Sequence, residues 1–273
     1  MRTSLKGTVV ITGASSGIGA IYADRLARRG HDLILVARNQ ERLNALAARL
    51  TRDTGRNVKV IAADLTNRPE LAAVEQVLRS DASITLLVNN AGFGATSALV
   101  DSDIDEMERM IHLNVIALVR LTLAVVPAFV ERGGGTIIDM ASIVGIVPEL
   151  LNGVYGGTKA FVLAFSLSLH KELAKNNIRI QVVLPGATAT DFWAIAGTPV
   201  EQLPGQIVMQ AADLVDAAIA GLYQGELVTI PSLPDSADWD AYETARQRML
   251  PKLSLNVPAE RYSLVAFKTA AKR

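Results

Sequence analysis

Short apolar runs alternate along the chain with longer amphipathic runs, and this alternation constrains the fold more than any other feature. Seven runs are apolar, rich in β-branched residues and short enough to be strands, namely residues 8–12, 33–36, 58–62, 86–88, 136–140, 178–184 and 227–230. Most of the stretches between them carry apolar residues at helical spacing. We therefore predict an α/β fold, a doubly wound, seven-stranded parallel sheet flanked by helices.

Composition supports this fold and narrows the class of protein. Half of the residues are hydrophobic but only 5% are aromatic, which suits parallel strands covered on both faces. The 27 basic and 27 acidic residues balance, so nothing indicates a nucleic-acid-binding surface or adhesion to an anionic membrane. The absence of cysteine excludes disulfides, thiolate nucleophiles and cysteine-ligated metals, and we expect no metal site. A cytoplasmic enzyme is compatible with all of these observations.

Neither a leader nor a membrane span is expected. The apolar run within residues 1–10 is too short for a signal-peptide core, and the glycines from Gly13 onward interrupt it. The longest apolar stretch, residues 115–130, contains Arg120 and Pro127, which favours a buried helix.

No linker or change of composition divides the chain. We predict a single dinucleotide-binding and catalytic domain over residues 1–273. Within it, residues 187–210 are expected to form a mobile substrate lid, and residues 231–273 a C-terminal extension without a recognisable motif.

A glycine-rich turn joins the first strand to the first helix, and it reads Thr-Gly-Ala-Ser-Ser-Gly-Ile-Gly over residues 12–19. In this context glycines let the backbone approach a pyrophosphate, while the helix N-terminus supplies free N–H groups. We predict a Rossmann-type dinucleotide site, whose contacts include Gly13, Ser15, Ser16, Gly17, Ile18 and Gly19.

The end of the second strand indicates which dinucleotide binds. An acidic side chain there would hydrogen-bond the ribose 2′-hydroxyl of NAD, but position 37 is Ala. Arg38 follows and can pair with a 2′-phosphate, with Asn39 beside it. We therefore favour NADP(H), with NAD(H) still possible. The alternative is that Arg38 is a surface residue leading into the next helix.

Tyr155 and Lys159 are four residues apart at the start of a predicted helix, so their side chains share one face. An unperturbed tyrosine has a pKa of about 10. A nearby cation lowers the pKa of a phenol, which improves it as an acid–base catalyst near neutral pH. We expect Lys159 to lower the pKa of Tyr155. The alternative is a half-buried tyrosine beside a solvated lysine.

Taken together, these motifs resemble the short-chain dehydrogenase/reductase family, in its compact single-domain branch, over residues 6 to 230. The resemblance is carried by Thr12-Gly13-x-x-x-Gly17-x-Gly19, Asp64, Asn89-Asn90-Ala91-Gly92, Asn114, Ser142, Tyr155-x-x-x-Lys159 and Pro185-Gly186. It implies that Tyr155 is the general acid/base and that Lys159 holds the nicotinamide ribose. It further implies that Ser142 hydrogen-bonds the substrate oxygen and that Asn114 supports a water-linked proton relay.

The resemblance also assigns the rest of the cofactor site. It implies that Asp64 and Leu65 contact the adenine and that Asn90, Ala91 and Gly92 line the middle of the cofactor. Pro185 and Gly186 lead to Thr188 and Thr190, which compete for the nicotinamide amide, with Thr190 slightly favoured.

Two alternatives and two departures from the family remain open. Asn89 could only brace the sheet, and Asn114 could be a helix residue satisfied by the backbone. Many NADP-preferring relatives carry Lys or Arg where this chain has Ser16. Gly156 and Gly157 stand where relatives often have small helix formers, and each costs about 1 kcal/mol against alanine inside a helix.

By resemblance, the chain is expected to be an NAD(P)-dependent oxidoreductase that transfers a hydride between nicotinamide C4 and a ketone or secondary alcohol. A lipophilic substrate is favoured by five apolar residues that follow Ser142, namely Ile143, Val144, Val147, Leu150 and Leu151. Helices 104–130 and 155–175 are expected to form a homodimer or homotetramer. A non-catalytic NADP-binding regulator and a lyase or epimerase of the larger family branch are the alternatives.

Overall fold

The computed structural model describes residues 7–262, so both ends of the predicted 1–273 domain, residues 1–6 and 263–273, lie outside the described residues. The chain divides into two compact units, the first ending at Ser232 and the second beginning at Leu233. The described residues of the second unit contain one α-helix, Ser236–Met249, whose residues are largely exposed. The single-domain organisation stays a prediction.

The first unit is built on a seven-stranded sheet in which all neighbouring strands are parallel, as the alternating pattern predicts. Its strands are β1 (Thr8–Thr12), β2 (Asp32–Ala37), β3 (Val58–Ala62), β4 (Ile84–Asn89), β5 (Gly135–Met140), β6 (Ile178–Val183) and β9 (Val228–Thr229). Their spatial order is β3-β2-β1-β4-β5-β6-β9. The chain reverses its direction of travel across the sheet between β1 and β4, which is where such sheets bind ligands.

Helices cover both faces of this sheet. In chain order they are α1 (Gly17–Arg28), α2 (Gln40–Thr54), α3 (Arg68–Ser80), α4 (Ile104–Ile111), α5 (Leu118–Glu131), α6 (Gly153–Glu172), α7 (Phe192–Ile195) and α8 (Ala211–Gln224). Val9 and Ile11 of β1 pack with α1, α2 and α8, whereas Val10 packs with α3, α5 and α6. Both faces of the central strands are therefore buried, which explains why their sequences are continuously apolar.

A π-helical turn, His112–Ala117, interrupts the long helix predicted for residues 104–130. The helical stretch Ile104–Glu131 has the length and composition of a membrane span, but half of its most apolar segment is buried within the fold. Arg120 forms an ion pair with Glu75, a buried residue of α3. These contacts are those of a core helix lying against the sheet.

A second, two-stranded sheet was not predicted. It pairs β7 (Thr188–Ala189) with β8 (Met209–Gln210) in parallel, at the two ends of the segment predicted as the lid. Between them lie α7 and two short 3₁₀ turns. Neither strand lies in an apolar run of four or more residues, which is the pattern that indicates a strand.

The side chain of Asn152 fixes the start of α6, because it accepts hydrogen bonds from the backbone N–H groups of Val154 and Tyr155. Gly156 has a packing reason to be glycine, since a Cβ there would lie 3.1–3.2 Å from Pro148. At Gly157 a Cβ would meet nothing within 4 Å. The two departures from the family pattern thus differ physically.

We therefore predict different effects on stability for two alanine substitutions. Gly157→Ala raises the free energy of unfolding by about 1 kcal/mol, because alanine restricts the unfolded chain and fits the helix. Gly156→Ala gains the same propensity but must displace Pro148, so it is less stable than Gly157→Ala. Urea denaturation of the two variants beside the parent chain measures the difference. Equal stabilisation by both substitutions would contradict the packing described at Pro148.

Candidate active site

A cavity of about 940 Å³ opens at the carboxyl ends of the central strands. Of the predicted site residues, those that line it are Gly13, Ser16, Gly17, Ile18, Asn90, Ala91, Gly92, Ser142, Tyr155, Lys159, Pro185, Gly186, Thr188 and Thr190. The strand ends bring together residues that are widely separated in the chain. The volume is that of a small-molecule site.

The glycine turn at one end of the cavity is packed too closely for side chains. Gly13 has a φ of +65°, and a Cβ there would lie 2.8 Å from Asn90 Nδ2 and 2.9 Å from Ala91 Cα. A Cβ on Gly19 would clash with the carbonyl oxygen of Gly13. The backbone is thereby exposed to the cavity, as a close-lying phosphate requires.

The N-terminus of α1 faces this cavity without a side-chain cap among the described residues. Its N-cap residue, Ser16, has an extended backbone, and its first turn contains no acidic residue. By contrast, side chains cap α2, α3 and α4, through Asn39, Asn67 and Asp103 respectively. Free N–H groups and the positive end of the helix dipole make the first turn of α1 suited to a diphosphate.

Tyr155 and Lys159 meet at the other side of the cavity. The Lys159 Nζ lies 5.9 Å from the centroid of the Tyr155 ring and donates a hydrogen bond of 2.8 Å to the carbonyl of Met140. Both residues are buried. The shared helix face that the spacing predicts therefore points into the site.

The expected lowering of the Tyr155 pKa is wrong for this arrangement. Burial raises the pKa of Tyr155 to about 12, and the Ser142 hydroxyl only partly opposes this effect. Burial also lowers the pKa of Lys159 to about 8, opposed by the negative charge of Asp139. Sequence spacing indicates which groups are neighbours, but it does not reveal how much water both have lost.

Ser142 lies just after β5, within reach of the cavity. Its hydroxyl donates to the carbonyl of Pro185 at 3.3 Å and accepts from the N–H of Val144 at 3.3 Å. The N–H of Ile143 also donates to the Pro185 carbonyl. These bonds fix the loops after β5 and β6 to each other and hold the serine at their junction.

Asn114 lies in the π-helical turn and joins two parts of the site. Its Nδ2 donates to the carbonyl of Phe93 at 2.8 Å and to Thr158 Oγ1 at 3.1 Å, and its Oδ1 accepts from the Phe93 N–H at 3.1 Å. The backbone of Phe93 supplies two of these hydrogen bonds, which agrees with the alternative that Asn114 is a helix residue satisfied by the backbone. Thr158, which sequence analysis missed, lies within the Tyr155–Lys159 motif and connects α6 to Asn114.

Asn89 braces the sheet. It is buried, and its Nδ2 donates to Thr122 of α5 and to Asp139 of the neighbouring strand.

The residues predicted for the adenosine end of the cofactor do not line the described cavity. Arg38 is exposed after β2, and the Ala14 N–H bonds to the carbonyl of Val36, which keeps the glycine turn beside this strand end. Asn39 caps α2 by accepting from the Arg42 N–H. Ser15, Gly19, Asp64, Leu65 and Asn114 also lie outside the cavity lining.

Asp64 and Leu65 follow β3, the next strand along the same edge. Asp64 accepts from the backbone N–H and the hydroxyl of Thr66, which shapes the turn there. Leu65 is buried.

The two threonines after β6 are placed differently. Thr188 is buried and donates to the Gly186 carbonyl at 3.1 Å. Thr190 packs against the glycine turn, because a Cβ on Gly17 would lie 3.2 Å from its Cγ2. Both line the cavity, so the choice between them stays open.

The segment predicted as the lid supplies an aromatic wall of the cavity. The sequence predicts the segment but not this packing. The Phe192 and Tyr155 ring centroids are 5.7 Å apart, and Phe192 packs edge-on against Trp193. Gly94 makes room for this contact, since a Cβ there would lie 2.5 Å from the Phe192 ring. Ile143, Val144, Leu150 and Leu151 line the cavity as expected, but Val147 does not.

Hydrogen bonds join the lid to the loop after β4. Thr96 donates to the carbonyl of Ala196 through both its backbone N–H (3.0 Å) and its hydroxyl (2.9 Å). The Thr198 hydroxyl donates to Thr96 Oγ1 at 2.9 Å. The lid and the loop after β4 thus enclose one side of the cavity, at the end where the substrate would bind.

Comparison with known proteins agrees with the site. A family model described as short chain dehydrogenase matches residues 7–198. A short-chain dehydrogenase from Sphingobium yanoikuyae, solved in complex with NADPH, is 50% identical and superimposes with a TM-score of 0.91, over 94% of this chain and 100% of that one. A bulky-bulky ketone specific alcohol dehydrogenase from Comamonas testosteroni is 44% identical, with a TM-score of 0.87 over 94% of this chain and 98% of that one. Human 17-beta-hydroxysteroid dehydrogenase type 3 is 32% identical over 88% of this chain and 79% of that protein.

The buried phenol gives a testable result. Because burial raises the pKa of Tyr155, its tyrosinate absorbance stays absent between about pH 8 and pH 11 in the cofactor-free protein. The ultraviolet titration curves of the parent and Tyr155→Phe proteins should therefore coincide over that range. A step in the difference between the two curves near pH 10 or below would show that the phenol is hydrated.

Proposed function

The chain belongs to the short-chain dehydrogenase/reductase family and is an NAD(P)-dependent oxidoreductase acting on carbonyl and alcohol groups; from this premise we propose that it is an NADP(H)-preferring reductase of bulky, lipophilic ketones. One observation carries the proposal. A single cavity contains, at one end, the glycine turn with the uncapped start of α1 and, at the other, Tyr155 between Ser142, Lys159 and an apolar wall.

The residues present fit the cofactor. The glycine backbone and the first turn of α1 would hold its diphosphate, and Asn90, Ala91 and Gly92 would lie along its middle. Lys159 would hold the nicotinamide ribose, since its ammonium group is a donor on the cavity wall. When bound, the reduced nicotinamide supplies a hydride to the carbonyl carbon.

Tyr155 and Ser142 would act on the substrate oxygen. Hydrogen bonds from both hydroxyls stabilise the negative charge that develops there during reduction. The raised pKa keeps Tyr155 protonated, which is the form that a proton donor needs. Transfer of its proton to the substrate oxygen is favourable because an alkoxide is far more basic than a phenolate. The buried Lys159 ammonium then stabilises the phenolate by its charge.

The walls of the cavity favour a lipophilic substrate with groups on both sides of the carbonyl. Residues after β5 form one wall and the lid forms the other, and both are largely apolar; they include Ile143, Val144, Leu150, Leu151, Phe192, Trp193, Ile195, Leu203, Ile207 and Met209. An apolar cavity of this size gains affinity with the apolar area that the ligand buries. The ketone preference in the name of the Comamonas enzyme is consistent with this interpretation.

The preference for NADP(H) rests on Arg38, which is exposed after β2 where no carboxylate is present at position 37. The Sphingobium relative was solved with NADPH, which supports the same choice.

Apart from the small-molecule substrate, the partners of the protein stay predictions, and so does its cellular location. A homodimer or homotetramer through α4, α5 and α6 is supported by large apolar side chains that these helices expose, namely Ile104, Ile111, Leu123, Val130 and Phe161. The cytoplasmic location is not tested by any of these observations.

Replacing Tyr155 by Phe should lower kcat for ketone reduction by about 10²–10⁴-fold, because the proton donor is lost while the ring remains. Binding of NADPH, followed by its fluorescence, should persist. Tyr22→Phe is the matched control, since it removes a buried hydroxyl without a partner among the described residues and outside the cavity. Normal turnover by the Tyr155→Phe protein would contradict the proposed mechanism.

Arg38→Ala tests the cofactor preference. Loss of a charge-assisted hydrogen bond to the 2′-phosphate should weaken NADPH binding by about tenfold or more and leave NADH binding unchanged. Arg52→Ala is the control, because Arg52 is an exposed residue in the last turn of α2, at the opposite end of this helix from Arg38. If Arg38→Ala weakens the binding of NADPH and NADH equally, the arginine does not recognise the 2′-phosphate.

A further inference from the structure

A carboxylate is buried behind the site, and no step proposed above uses it. Asp139 of β5 has no exposed surface. Its Oδ1 accepts a hydrogen bond of 2.9 Å from Asn89 Nδ2, and its Oδ2 lies 2.9 Å from Ser166 Oγ, whose one proton can go to it or to the Val162 carbonyl at 2.8 Å. Burying an ionised carboxylate is costly unless polar or charged partners offset the loss of water, and both oxygens of Asp139 have a polar partner.

This carboxylate lies on the side of the sheet covered by α6, close to Lys159. Asp139 immediately precedes Met140, whose carbonyl accepts the 2.8 Å hydrogen bond from Lys159 Nζ. Ser166, which holds the carboxylate, and Lys159 both lie on the buried face of α6, two turns apart. The amine of Lys159 and the carboxylate of Asp139 are therefore enclosed together between β5 and α6.

We propose that Asp139 is a positioning residue whose buried carboxylate keeps Lys159 in its ammonium form, and so keeps a charged donor beside Tyr155. The proposal rests on the proposed function, because Asp139 acts only through Lys159 and touches neither substrate nor cofactor. Without this counter-charge, burial would favour the neutral amine of Lys159 still more strongly.

The charges that face the two groups agree with this role. From α6, Lys159 faces the carboxylate; from β4 and α5, the facing side chains are Asn89 and Thr122, which are neutral. Burial lowers the pKa of Lys159 to about 8, and the charge of Asp139 raises it. Burial raises the pKa of Asp139 to about 6, opposed by Asn89, Ser166 and Lys159. Each charge thus favours the ionised form of the other group.

Asp139→Asn removes the charge with little change of volume. The structure can accommodate the new amide, because the buried Asn89 Oδ1 has no partner among the described residues and can accept from it once the Asn89 amide turns. We expect the alkaline limb of kcat/KM for ketone reduction to move to lower pH by about one unit. A purely structural role would lower activity equally at every pH.

Two further variants keep the proposal falsifiable. Ser166→Ala removes a hydrogen bond from the carboxylate but leaves its charge, so it should lower stability without moving the alkaline limb. The double variant Asn89→Asp/Asp139→Asn returns one buried carboxylate to the adjacent strand, where the new amide can donate to it. This double variant should move the alkaline limb of kcat/KM back toward that of the parent protein, even if Asp139→Asn alone folds poorly.

A readout without cofactor follows from proton linkage. The pKa of Lys159 is lower in the folded than in the unfolded state, so the free energy of unfolding rises with pH above the folded value. In Asp139→Asn that rise should begin at lower pH than in the parent or in Ser166→Ala. Urea denaturation of the three cofactor-free proteins between about pH 6.5 and pH 10 measures it.

The outcomes separate this inference from the proposed function. If the parent protein reduces ketones but Asp139→Asn shows the parent's alkaline limb and linkage curve, the positioning role is overturned. If no ketone is reduced by the parent protein with NADPH, the proposed function fails, while the linkage curves still decide whether Asp139 keeps Lys159 protonated.

Discussion

The shared direction of the seven strands is the constraint on which the site depends. Because every strand runs the same way, its carboxyl end lies at one edge, and the loops after β1, β4, β5 and β6 meet there. Parallel strands need a covering segment between them, so helices close each face and the loops that follow the strands lie at that edge. The glycine turn, Asn90, Ser142 and Pro185 are neighbours for this reason, although Gly13 and Pro185 are 172 positions apart in the sequence.

Burial then gives these polar groups their chemical character. Tyr155 and Lys159 have lost nearly all contact with water, and the direction of both pKa changes is the one that desolvation dictates, toward the neutral forms. Only specific partners oppose it, the Ser142 hydroxyl for the phenol and the Asp139 carboxylate for the amine. Behind the cavity wall, a buried hydrogen-bonded network extends from Ser166 through Asp139 to Asn89 and Thr122.

Much of the fold could be predicted because the periodicity is strong where strands and helices are long. All seven principal strands were recognised, including the two-residue β9, and the motif residues lie at the ends where the alternating pattern places them. The parts that were missed are fixed by tertiary contacts. β7 and β8 lie in no apolar run of four or more residues, whereas β9 lies in the run 227–230. The packing of Phe192 on Tyr155 depends on space left by Gly94. The direction of the Tyr155 pKa depends on solvent exclusion, which spacing does not encode.

The π-helical turn at His112–Ala117 makes the long helix sensitive to its length as well as to its composition. A wider turn accommodates one more residue than an α-helical turn, so the two flanking α-helical parts keep nearly the rotational phase of an uninterrupted helix. Loss of one residue there would leave a regular helix, but would change the position of the turn's own residues around the helix axis. Asn114 would then turn away from Phe93 and Thr158. The hydrogen bonds that connect the loop after β4 to α6 would be lost, although every catalytic side chain would still be present.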